Sequence, residues 1–210
     1  MHTPVDAILA ACRPYAQRSA LGLPDLITLS RAITLSDADI DALSLSDPAH
    51  PYGRRVLMAN AQLEVMVATW TPGFPCAPHD HGGQLGAVRV LRGASDHKIW
   101  RIAGGKATVL KEHIAGRDEV LGCGPEMVHS MGCAGHGEPL VTLHLYTRSI
   151  PHMIVYDLPR NETAIVNGYC GAWIPAADSG QLVATLPGIW DRAAVSAWMA
   201  ARSAGGPADG

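Results

Sequence analysis

From Leu63 onward, apolar and polar residues alternate with a period of two. LEVMVATW, GAVRVLRG, DHKIWRI, ATVLKEHI, DEVLGC, LVTLHLY and HMIVYDL are short runs rich in β-branched and aromatic residues, many of them separated by glycine or proline breaks such as TPGFP, AGG and AGHGEP. Regularly spaced short strands with turn signals predict an antiparallel sandwich or barrel. The first fifty residues follow a helical period instead. Val5, Ile8, Leu9 and Cys12 share one helical face, and Pro14 is expected to end it. SDADIDALSL predicts a second short helix with Ser36 as its N-cap and acidic residues in its first turn. SDPAHPYG then reads as a linker or turn. After Pro159 the pattern loosens until DRAAVSAWMAARS, a helix with Val195, Trp198 and Met199 facing inward, and the tail GGPADG is expected to fray. The organisation expected is one domain over residues 1–210: a helical segment at 1–50, a β core at 51–160 and an extension at 161–210.

Composition narrows the partners. A chain of 210 residues with 48% apolar and 17% charged residues supports one packed core. A net charge of −3 and the lack of a Lys/Arg block give no basis for binding nucleic acid or an anionic membrane. The start MHTPVDAILAACRPYAQ lacks the basic region of a secretory signal, and no apolar run is long enough to span a bilayer. Cys12, Cys76, Cys123, Cys133 and Cys170 are odd in number and form no CxxC, so free thiols in a reducing cytoplasm are expected.

The chemistry centres on APHDHGGQLGAVRVLRG. On an extended segment His79 and His81 point the same way and Asp80 points away. Two imidazoles at that spacing can chelate one ion. They are equally compatible with a pair of loop histidines, because ten histidines in 210 residues give about half an HxH by chance. The context, Gly73 six residues before His79 and Gly93 closing the following strand, resembles the first motif of the cupin superfamily, whose barrels hold a metal between two sheets. That likeness implies a further histidine from a later strand, and GPEMVHSMG offers His129. His97, His113, His136 and His152 stand in charged or glycine-rich surroundings and are expected to be exposed. Many cupins carry a glutamate just beyond the HxH; Gly82 to Gly86 contain no carboxylate, which leaves three neutral imidazoles. Imidazole suits Fe, Cu, Zn and Ni alike.

PYGRRVL, PHDHGG and LVTLHLYT, taken together and in order from Tyr52 to Tyr146, resemble the cysteine dioxygenase family, the thiol dioxygenases of the cupin superfamily. The resemblance implies a mainly β cupin (double-stranded β-helix, jelly-roll) barrel with N-terminal helices and a C-terminal extension ending in a helix. It implies Fe(II) held by His79, His81 and His129, with Arg54 gripping the substrate carboxylate beside Tyr52. Arg55 is the competitor for that role. The family's Ser-His-Tyr relay corresponds to Thr142, His144 and Tyr146, which alternate and share a face. Two departures stand out. Gly86 replaces the cysteine that animal members link to the tyrosine, and Thr147-Arg148-Ser149 replaces the usual prolines. Cys170 and Trp173 lie beyond the alignable part, as a lid or as packing, packing being the expected role. The activity implied adds both atoms of O2 to the sulfur of a small carboxylated thiol. L-cysteine, giving cysteine sulfinate, comes first; 3-mercaptopropionate, mercaptosuccinate or a specialised thiol are the alternatives. A non-catalytic, metal-containing cupin that binds a small acid is the reading from another class, and a relay beside the metal counts against it. A metal-dependent isomerase or lyase would want a nearby base, which Asp80, facing away, does not supply.

Overall fold

The structure, a computed structural model, describes residues 3–135 and 138–203, so His136 and the GGPADG tail lie outside the described residues. Three helices come first. α1 (Pro4–Ala16) starts at a reciprocal cap in which the Thr3 hydroxyl accepts from the Asp6 amide and the Asp6 carboxylate accepts from the Thr3 amide. Pro14 does not end it: the ring sits in the last turn, and the helix runs on to Ala16. There a missing N–H removes one bond, while Ile8 and Cys12 remain anchored in the core. α2 (Leu23–Ala32) was not singled out by the sequence pattern; its Asp25 carboxylate accepts from the Gly22 amide. α3 (Asp37–Leu43) is the helix expected from SDADIDALSL, and Ser36 caps it.

Eleven strands follow among the described residues. They are β1 (Tyr52–Ala59), β2 (Glu64–Trp70), β3 (Gly86–Arg92), β4 (Ser95–Ala103), β5 (Lys106–Ala115), β6 (Val120–Cys123), β7 (Val128–Cys133), β8 (Val141–Tyr146), β9 (His152–Asp157), β10 (Glu162–Asn167) and β11 (Leu182–Pro187). α4 (Arg192–Ser203) closes the chain, with Val195 buried and Trp198 and Met199 packed beside it. The loosened pattern after Pro159 therefore conceals two strands: β10, which pairs with β9, and β11, which pairs with β10.

All strand pairs are antiparallel. One sheet has the order β1-β2-β8-β3-β6; the others are β11-β10-β9 and β5-β4-β7. The segment before His81 joins the two smaller sheets. His79 exchanges backbone bonds of 2.9 and 3.0 Å with His129 of β7, while the Asp80 amide donates to Ile154 of β9 and the Tyr156 amide donates to Pro78. This produces two facing layers, the expected mainly β architecture with helices before and after it.

β2 and β8 are buried on both faces, which sets their composition. Val65, Val67, Leu143 and Leu145 face outward, where they pack with Ile8, Leu26, Leu29 and Leu43 of the helices. The alternate residues face the barrel interior. Register places them in rows: Arg54, Ala68, Thr142 and Val90 in one; Glu64, Tyr146 and Gly86 in another. Period-two alternation thus separates a greasy helix-packing face from a chemically equipped one.

Candidate metal centre

His79, His81 and His129 converge inside the barrel. One ring nitrogen from each lies within 4.8 Å of the other two, and all three residues are buried. His79 and His129 are brought together by the backbone exchange between their segments. His81 ends that short extended stretch, where the chain turns at Gly82 and Gly83 with φ of 63° and 80°. Only a residue without a Cβ adopts such a pair of left-handed conformations at low cost. At Gly82 an added Cβ would also fall 2.5 Å from the His152 carbonyl oxygen.

The donor atoms suit a metal. His79 Nδ1 is 3.0 Å from the Ala77 carbonyl, to which it donates, so Nε2 is the free donor. His81 Nε2 and His129 Nε2 lie 3.1 Å apart. Two nitrogens bound to one ion at about 2.1 Å and near a right angle sit about 3 Å apart. His81 Nδ1 is buried without a hydrogen-bond partner among the described residues, so its ring is not held by an alternative polar contact. Burial first, then neighbouring histidines, keeps His81 and His129 far below the usual imidazole range; burial lowers His79 as well. Neutral imidazoles are the form that ligates.

Behind His129 lies a residue that the sequence reading expected to be exposed. His97 is buried, and its Nε2 is 2.8 Å from His129 Nδ1. With His129 Nε2 facing the other donors, Nδ1 carries the proton and His97 accepts it. The signal was present in β4, where Ser95, His97 and Ile99 share one face, but the charged residues interleaved with them masked it. Burial pushes His97 down to about 4, which keeps it an acceptor. His97→Ala is expected to weaken metal affinity by about ten- to a hundredfold, as loss of an outer-shell partner does. His97→Asn, which retains an acceptor, is expected to lose less. Titration of each variant against a competing chelator reads both. Of the other histidines weighed with it, His113 is half-buried against Glu119 and His152 is exposed, neither at the centre.

Thr142, His144 and Tyr146 line up along β8 as the alternation predicts. Thr142 Oγ1 is 2.7 Å from His144 Nε2, and His144 Nδ1 is 3.0 Å from the Tyr146 hydroxyl. Trp70 Nε1 donates to Thr142 Oγ1 at 2.8 Å. An indole N–H only donates, so the Thr142 proton is available to His144 Nε2. His144 then carries its own proton on Nδ1 and donates it to Tyr146, which leaves the phenol O–H directed elsewhere. The opposite order would leave the fully buried Thr142 hydroxyl proton without an acceptor among these contacts. Burial drives Tyr146 well above its normal range and His144 down to about 3, so both stay neutral. The Tyr146 ring lies 5.0 Å from that of His81. A Cβ at residue 86 would fall 2.8 Å from Tyr146 Cε1, so Gly86 is what leaves the tyrosine ring its place.

A cavity joins the histidines to Tyr146, Tyr52 and Arg54. The two neighbouring arginines are resolved by strand alternation: Arg54 faces the cavity, whereas Arg55 donates outward to the Ala42 carbonyl. Arg54 also clasps the C-terminal extension, donating to the carbonyls of Cys170 at 2.6 Å and Gly168 at 3.1 Å. The Tyr52 hydroxyl accepts from the Ala172 amide at 2.9 Å. Cys170 packs with Met153, Val155 and Val166, as expected, and also reaches the cavity wall; Trp173 packs against His50 and Tyr52. Asp80 faces away from the histidines, as expected, yet it is fully buried. Its carboxylate accepts from the Gly82 and Ile154 amides and pairs with Arg192 of α4.

Among solved structures, the chain is similar to a double-stranded β-helix protein from Klebsiella pneumoniae, at 19% identity and TM-score 0.42 over 58% of this chain and 95% of that one. It is also similar to an RmlC-like cupin from Shewanella frigidimarina, at 13% identity and TM-score 0.40 over 51% and 86%. A third likeness is to an oxalate oxidase, at 16% identity and TM-score 0.44 over 56% and 61%. The family described as cysteine dioxygenase type I matches residues 38–158, which span β1 to β9 and with them all three clustered histidines, Arg54 and the Thr142–His144–Tyr146 row. With more than half of its length matched, the chain belongs to the cysteine dioxygenase type I family.

Proposed function

We propose that this protein is an Fe(II)-dependent thiol dioxygenase that converts a small carboxylated thiol, foremost L-cysteine, to its sulfinic acid. The observation that carries the reading is the three-imidazole cluster opening onto the same cavity as Arg54 and a buried tyrosine–histidine–threonine relay. A ferrous ion on His79, His81 and His129 would hold the thiol as thiolate and bring O2 next to it. Three neutral donors leave the ion's double positive charge intact, which favours an anionic ligand.

The chain's own groups then have separable tasks. Arg54 fixes the carboxylate end of the substrate. Two of its contacts go to backbone carbonyls, and a guanidinium has five N–H donors, so donors remain for a ligand. By clasping residues 168–172, Arg54 and Tyr52 also help close the cavity wall against water. The Tyr146 phenol, oriented by His144, donates to an oxygen atom that develops charge during transfer. Product sulfur rises two oxidation steps to the sulfinic acid as both oxygens arrive from O2, so no outside reductant is required.

The test is to load the protein with Fe(II) without oxygen, then follow oxygen consumption against cysteine, 3-mercaptopropionate, mercaptosuccinate and an uncarboxylated thiol. Uptake with sulfinate formation is expected for a carboxylated thiol and not for the uncarboxylated one. Full iron loading with no uptake for any thiol would leave a binding protein rather than an enzyme.

A further inference from the structure

Glu64 is a carboxylate inside the same cavity, and nothing in the reaction above uses it. It opens β2, is only 7% exposed, and lines the cavity with Met66 and Trp70. Register sets it directly beside Tyr146 on the neighbouring strand. Burial pushes its carboxyl above the usual range, and the Arg54 guanidinium, which lines the same cavity, draws it back toward the charged form. The cavity wall thus carries one guanidinium and one carboxyl group.

We infer that Glu64 determines substrate specificity: it makes the cavity refuse thiols carrying a second carboxylate and accept those with a single carboxylate and a hydrogen-bond donor, as in an aminothiol. This deepens the thiol-dioxygenase reading and rests on it. A monocarboxylate meets Arg54 and leaves Glu64 with a donor to accept from. A dicarboxylate of similar size must bring its second charge near the Glu64 carboxylate in a site with little water to screen it. At a separation of a few ångströms and an effective dielectric near that of partly buried sites, such repulsion amounts to roughly a hundredfold in binding. Glu64 is buried at the start of β2, so its contribution to stability must be separated from its contribution to selectivity.

Binding, rather than turnover, makes that separation. Cysteine, 3-mercaptopropionate and mercaptosuccinate are titrated calorimetrically into the Fe(II)-loaded protein without oxygen, for the wild type, Glu64→Gln and Glu64→Asp. The wild type is expected to prefer cysteine over mercaptosuccinate by about a hundredfold. Glu64→Gln, which keeps the shape and loses the charge, is expected to shrink that ratio at least tenfold; Glu64→Asp is expected to retain most of it. Glu64→Ala, with no buried amide to satisfy, is the second charge-removing variant if the glutamine form folds poorly. Equal wild-type affinity for the two ligands would overturn the inference, as would a ratio unmoved by charge removal alongside lowered thermal stability. If the ratios hold but no thiol is oxidised, the assignment of Glu64 stands and the dioxygenase reading falls. If thiols are oxidised and selectivity ignores Glu64, the reverse is true.

Discussion

His129→Ala is expected to reduce thiol oxidation by about a thousandfold or more, since the metal's contribution to such chemistry is several kcal/mol and each 1.36 kcal/mol is tenfold in rate. Metal content after desalting should fall with it. His129 supplies the only donor contributed by β7, and its Nε2 lies 3.1 Å from that of His81, so its loss leaves two nitrogens from a single short segment. The fold should persist. What joins the two segments is the backbone exchange between residues 79 and 129, which alanine preserves. Far-UV circular dichroism close to wild type, together with lost iron and lost oxygen uptake, is therefore the expected pattern. A His129→Ala protein that retains its metal and oxidises thiols would place the metal elsewhere.

The largest expected effect on stability is at Asp80. Its side chain is 1% exposed and holds together three separate pieces of chain: the Gly82 turn, the β9 backbone at Ile154 and the first turn of α4 through Arg192. Removing one partner of a buried ion pair costs about 3–5 kcal/mol, because the other charge and the donors lose their acceptor. Arg192 keeps 31% of its side-chain surface in solvent, so water takes up part of that loss and the lower end applies. Asp80→Ala is thus expected to lower the unfolding free energy in urea by about 3 kcal/mol. Arg192→Met should cost less, since the carboxylate would keep its two amide donors. A loss below about 1 kcal/mol for Asp80→Ala, the value typical of an exposed pair, would contradict this account. The same change should loosen the metal, because Asp80 lies between two of its ligands.

What the sequence revealed and what it hid follow from the range of the interactions involved. Period-two alternation is local, so LEVMVATW and LVTLHLY were legible as strands, and Thr142, His144 and Tyr146 as sharing one face. The cap at Ser36 and the inward residues of α4 are local in the same sense. β10 and β11 were not legible: ETAIVN and LVATLP lie in a stretch interrupted by Gly and Pro, and the strands are held by β10 pairing with β9 and β11 pairing with β10. At the site, His79 and His81 stood out as an HxH pair, and His129 was reached only through the family resemblance. His97 and Glu64 were not legible, because each reads as a polar residue at a strand's start, and only tertiary packing turns them inward. Asp80 was oriented correctly, but its role required Arg192, 112 positions away.

The most direct test of the central claim follows the oxygen atoms. Fe(II)-loaded protein is exposed to ¹⁸O2 in the presence of the thiol that supports oxygen uptake, and the sulfinic product is weighed by mass spectrometry. Incorporation of two labelled oxygens into each product molecule is the predicted result. A product with one label or none would mean that water or another oxidant supplies oxygen to the sulfur, and the dioxygenase account would be wrong.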